Sequence, residues 1–162
     1  MVGGFRVIAV EREYASGSLQ NLFVGVWRVG VTREAVAGLY GGLRGLIREW
    51  PGGVGMLLYV EKGTVVPPPE VRQFLIDQRR EVAPSLVAAS LAVEGDDLWS
   101  ATVRTIAVTL GLASGTNYPS KSFASLAEAI AWQRAQMGAE FNVPDDVVAR
   151  AVASLREQPV RG

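Results

Sequence analysis

Between Met56 and Trp132 apolar runs of strand length alternate with segments of helix length, and the last helix opens Phe-Ala-Ser-Leu-Ala-Glu-Ala-Ile-Ala-Trp at 123–132. Gly55 to Val60 is a continuous apolar run, the pattern of a strand covered on both faces. Leu86 to Val93 repeats it. The segments between and after these runs carry helical spacing: Val71, Phe74, Leu75 and Gln78 along one side of 70–82, then Trp99, Val103, Ile106, Ala107 and Leu110 along a stripe expected to be buried in 98–112. Alternation of this kind places strands in one sheet with helices against it, which predicts an α/β domain.

The segments on either side complete the pattern. Phe5 to Tyr14 and Leu22 to Val29 read as two strands paired antiparallel, with Ala15 to Asn21 as the turn between them and Gly25 as a bulge or point of close approach. Thr32 is placed to cap a helix over 33–50, where Val36, Leu39, Tyr40, Leu43, Leu46 and Ile47 share a face. That helix also holds Gly38, Gly41, Gly42 and Gly45, each costing about 1 kcal/mol relative to alanine. Close packing on the sheet offsets such a cost, and so does a docked partner helix. Ser125 and Glu128 form a capping box before the helix carrying Leu126, Ala129, Ile130 and Trp132, which Gly138 ends. A last amphipathic helix over 145–157, with Val147, Val148, Ala151, Val152 and Leu155, reads as an appendage that packs in cis or in a homodimer. The expected architecture is a central mixed sheet of about five strands flanked by helices over 1–138, with a C-terminal helical extension over 139–162.

Composition narrows the function. The chain of 162 residues contains no cysteine and no histidine, so thiolate chemistry is impossible and the commonest general base and metal ligand is missing. Lysine plus arginine equal aspartate plus glutamate at 16 each, leaving no net field toward a polyanion, and nucleic acid is not an expected partner. The N-terminal residues lack the charged, apolar and small-residue succession of a secretory signal, and no apolar run is long enough to span a bilayer. A cytoplasmic protein without a membrane span is the expectation.

The residues that could carry chemistry read more simply as structure. Asp96-Asp97 and Asp145-Asp146 sit where first-turn acids favour a helix dipole. Gly111 to Gly115 follows a helix, whereas nucleotide-binding glycine loops follow a strand. Ser120-Lys121-Ser122 lacks a third group to orient a nucleophile. Arg72 and Arg79 share a helix face, with Glu70, Asp77 and Glu81 interleaved. Trp50 beside Pro51 is the tryptophan best placed to be an exposed anchor. No catalytic, metal or cofactor set can be assembled, and the chain reads as non-enzymatic.

The order strand, strand, helix, strand, helix, strand, helix, short strand, helix over roughly 5–136 resembles the STAS domain, in its sporulation anti-anti-sigma-factor-like branch. The phrase at 123–132 resembles that branch's closing phenylalanine, capped turn and alanine-rich helix ending in tryptophan. In phospho-regulated members a serine or threonine lies where the central strand gives way to the second helix, within an Asp-Ser-Ser-Gly-like phrase. Here the stretch is Glu61 to Glu70, the phrase is absent, and Thr64 is its hydroxyl residue.

The resemblance implies a regulatory protein-interaction module, an anti-sigma-antagonist-like domain binding another protein, with Trp50, Thr64, Arg72 and Arg79 as its candidate contact residues. A related shape in lipid-carrying domains of the Sec14 type implies an alternative: a lipid or other small apolar ligand held between the sheet and the helix carrying Trp99, in a cavity. A self-assembling structural subunit is the third expectation.

Overall fold

The structure, a computed structural model, describes residues 4–159; the first three residues of the N-terminal segment and the last three of the extension lie outside that range. Its chain order is β1 (Arg6–Val10), β2 (Tyr14–Leu19), β3 (Leu22–Trp27), α1 (Arg33–Glu49), β4 (Val54–Val60), α2 (Pro69–Val82), β5 (Leu86–Ala92), α3 (Leu98–Ser114), β6 (Ser120–Phe123), α4 (Leu126–Met137) and α5 (Asp145–Glu157). The six strands form one mixed sheet in sequence order. β1 to β3 are antiparallel neighbours, while β3 to β6 run parallel.

That order dictates where the helices go. Each parallel step from β3 to β6 moves one strand in the same direction, and crossovers of one hand then lay α1, α2 and α3 on one face. The other face is left for the chain beyond β6, and α4 and α5 cover it. Period-two alternation serves both layers. Phe23, Trp27, Met56 and Val60 lie in the core under α1 to α3, whereas Leu22, Val24, Val26, Leu57 and Tyr59 lie in the core under α4 and α5. The apolar runs of β3 and β4 are continuous because both faces are buried.

The structure holds one strand more than the five or so expected, because Ala15 to Leu19 belongs to β2 and is not a turn. All six β2 residues are buried, and the reversal is confined to Gln20 and Asn21, with Gln20 at φ 52°. Small residues are needed there: a Cβ at Gly17 would stand 2.7 Å from the Arg6 carbonyl oxygen and against the Phe5 ring. Gly17 thus marks a close strand approach within a run that reads as a turn. At Gly25 a Cβ would lie 2.8 Å from Leu58 and 3.2 Å from Leu39, a close approach without a bulge.

Capping fixes the helix starts. Thr32 accepts from Ala35 N at 3.1 Å, Asp97 from Ser100 N at 2.9 Å, and Ser125 from Glu128 N at 3.2 Å. On α1, a Cβ at Gly38 would meet the Tyr14 hydroxyl at 2.5 Å and one at Gly42 would meet Ile8 at 3.1 Å, so these two glycines allow the helix to approach the sheet. Gly41 faces open space.

α5 lies on β2 and β3 of its own chain, with Val148, Ala151, Val152 and Leu155 buried against Leu19, Leu22 and Val24. Residues 139–157 thereby supply much of the second core layer.

Candidate functional site: a cavity beneath α3

The stripe expected to be buried on α3 is only half-buried. Trp99, Val103, Ile106, Ala107 and Leu110 face inward, yet the only fully buried residues of the helix are Ser100 and Ser114. The space they face is a cavity of about 130 Å³ bounded by the sheet, α2, α3 and the segment after β4. Leu58, Val60, Leu75, Val103, Ile106 and Leu110 make most of its wall apolar. It reaches the surface beside Val65 and Ser120, which are both lining and exposed.

One end is closed by the segment between β4 and α2. Thr64 is 3 % exposed, its hydroxyl donating to Glu61 O at 2.7 Å. Its carbonyl accepts from Trp99 Nε1 at 3.3 Å, tying the start of α3 to this segment. Gly30 and Val65 form an isolated parallel bridge that holds the same segment beside the C-terminal end of β3. Pro67 O takes the Arg72 Nε hydrogen at 2.8 Å.

The other end is polar. Arg79 from α2 reaches the wall, its guanidinium carbon 5.6 Å from the Tyr118 ring centre and one terminal nitrogen donating to Ser120 Oγ at 3.3 Å. Tyr40, fully buried on α1, faces it. Burial pushes the Tyr40 hydroxyl up to about 12, against the lowering influence of Arg79, so it is neutral at ordinary pH and leaves the guanidinium charge uncompensated. Among the described residues no carboxylate lies within 4.0 Å of Arg79; the nearby acid Glu81 pairs with Arg44 instead, at 3.2 Å. Arg79 Nε and the Tyr118 hydroxyl are both buried without a hydrogen-bond partner.

The chain matches no family model, no curated protein and no solved structure.

The four residues singled out from the sequence are not brought together. Thr64 and Arg79 line the same cavity at different ends. Arg72 is half-buried on the first turn of α2, committed to Pro67. Trp50 caps α1 at the opposite end of β4, about 20 Å away by strand rise, and is 42 % exposed. Thr64 presents no hydroxyl to a docking partner. Tyr40, Tyr118 and Ser120 also surround Arg79, and their shared location depends on three separate elements meeting, which no local pattern in the sequence shows.

A second depression of about 580 Å³ lies between the end of α2 and the end of α3. Its one cation is already engaged, Arg80 donating to Ser114 O at 3.1 Å and to Ala113 O at 2.9 Å across the α3 terminus. Among the described residues, no group of three potential metal-ligating side chains occurs, and no helix is long and apolar enough to cross a membrane.

Proposed function

We propose that this chain is a non-catalytic binding domain whose ligand is a small, largely apolar molecule held between α3 and the sheet. One observation carries the reading: a mostly apolar cavity lies where an amphipathic helix would otherwise close on the sheet. Native interiors leave few voids larger than a water molecule, so an apolar space of this size in a well-packed domain favours occupancy. Its volume suits about six heavy atoms, since a cavity of ~150 Å³ accepts benzene. A complete lipid is too large, which narrows the carrier expected from Sec14-type shapes to a small-molecule binder. The STAS resemblance read from the sequence implies the same non-catalytic class.

Titration with benzene, followed by methyl resonances, tests this. Shifts confined to Leu58, Leu75, Val103, Ile106 and Leu110, lost in Ala107→Phe, support the cavity as a binding site. Saturating benzene without such shifts overturns it.

A second reading, a regulatory protein-interaction module, is favoured by the outer face of α3. Leu98, Val108 and Leu112 are exposed there at 84 %, 54 % and 79 %. Thr102, Thr105 and Thr109 turn their hydroxyls back onto carbonyls four residues earlier, leaving methyl groups outward. With no charge to pair on that face, a second copy of the chain is the simplest partner, and Leu112→Glu should abolish any concentration-dependent dimer seen by light scattering. A wild-type chain monomeric at high concentration removes this reading.

A further inference from the structure

The cavity is not uniformly apolar, and its polar end is unbalanced. Arg79 brings a permanent positive charge to the wall, where hydroxyls surround it and no described carboxylate offsets it. A guanidinium carries donors only and stays protonated at any physiological pH. One of its hydrogens, on Nε, is buried without an acceptor, and the neighbouring Tyr118 hydroxyl is likewise buried without a partner. Leaving buried donors unsatisfied is costly, and leaving a charge uncompensated in a partly buried site is costlier. An anionic acceptor at the Arg79 end of the cavity would offset that charge.

Geometry limits what that anion is attached to. Beyond Arg79 and Ser120 the wall passes to Leu58, Leu75, Val103 and Ile106, so the remainder of the ligand is hydrocarbon. Lys121 also lines the cavity but is exposed, its Nζ 5.4 Å from the Phe123 ring centre, so the half-buried guanidinium of Arg79 is the charge that most needs an anion, and one carboxylate suffices for it. A planar carboxylate matches the guanidinium fork, accepting two parallel N–H bonds. The total of about six heavy atoms allows a carboxylate with a tail of three or four carbons.

Resting on the cavity reading, we infer that the ligand is a short-chain monocarboxylate, its tail against α3 and its carboxylate on Arg79 with Ser120 beside it. Arg79 supplies the discrimination between acid and neutral molecules. The apolar wall supplies affinity that both share.

The experiment compares butanoate with butanamide, which have the same shape and size and differ in charge, by calorimetry and chemical-shift titration of the intact chain. Benzene serves as a neutral reference for the cavity itself. The expected result is butanoate binding at least tenfold tighter than butanamide, a preference lost in Arg79→Met while benzene still binds, and partly kept in Arg79→Lys. Equal binding of butanoate and butanamide overturns carboxylate recognition while leaving the cavity reading intact. Failure of all three ligands to bind overturns both. Should Arg79→Met not fold, the selectivity of the wild-type chain decides the matter alone.

Discussion

The Ser90 hydroxyl on β5 donates to Gln133 Oε1 on α4 at 2.7 Å, and both side chains are buried. Gln133 Nε2 in turn donates to Ala88 O at 3.2 Å, so one glutamine meets two groups of the same strand across an otherwise apolar interface. Gln133→Leu keeps the bulk and removes both bonds, orphaning the serine hydroxyl. We expect a loss of about 1–3 kcal/mol in urea unfolding, with part recovered when Ser90→Ala is added. Equal stability of wild type and single variant would contradict this role for the glutamine.

The glycines of α1 separate into two classes with opposite signs. Gly41→Ala adds a methyl into open space on a helix and should stabilise by about 0.5–1 kcal/mol. Gly38→Ala forces the helix against the Tyr14 hydroxyl and should cost about 1–3 kcal/mol. Thermal melts of the two variants should therefore move in opposite directions.

Asp97 predicts an acid-sensitive α3. Its carboxylate accepts from Ser100 N and pairs with Lys62 at 2.7 Å, and these contacts, the lysine first, hold its pKa well below the ordinary 3.8. A carboxyl depressed in the folded state contributes stability that is fully present above the unfolded value and is lost as pH falls through the folded one. The contribution is thus intact above about pH 4 and fades in stronger acid. Asp97→Asn retains a capping oxygen but loses the ion pair; the difference in melting temperature from wild type should shrink as pH drops below 4.

A chain ending at Gly138 should fail to fold cooperatively. It would leave Leu19, Leu22, Val24 and Val26 without the α5 residues that cover them, on one face of β2 and β3. Dye binding to exposed apolar surface, together with loss of a sharp thermal transition, is the expected outcome. A cooperative melt from 4–138 would show that the extension is dispensable.

The elements that could be read from sequence were those whose pattern is local. β4, α2, β5 and α5 carry runs or spacings that need no knowledge of neighbours, and Ser125 announces α4 three residues ahead of Glu128. β2 was hidden because its Ser-Gly-Ser run reads as a turn, while Gly17 is there for the closeness of Phe5 and Arg6, which a single strand does not reveal. The helical stripe of α3 was legible, but not that a cavity lies beneath it. Arg79 stood out as half of a face shared with Arg72; its actual setting, between Tyr40, Tyr118 and Ser120, required α1, α2 and the approach to β6 to converge. Spacing along one helix carries no trace of that convergence.

Both borders of the sheet are poorly suited to receive another strand. β1 shifts register between Val7 and Ala9, which bends the backbone on one border, and its Arg6 is paired with Glu49. β6 is four residues long and displays Lys121 on the other. Short, kinked or charged borders resist strand addition and fibril growth. The sheet therefore terminates itself on both sides, leaving its helices and the space beneath them as the surfaces open to other molecules.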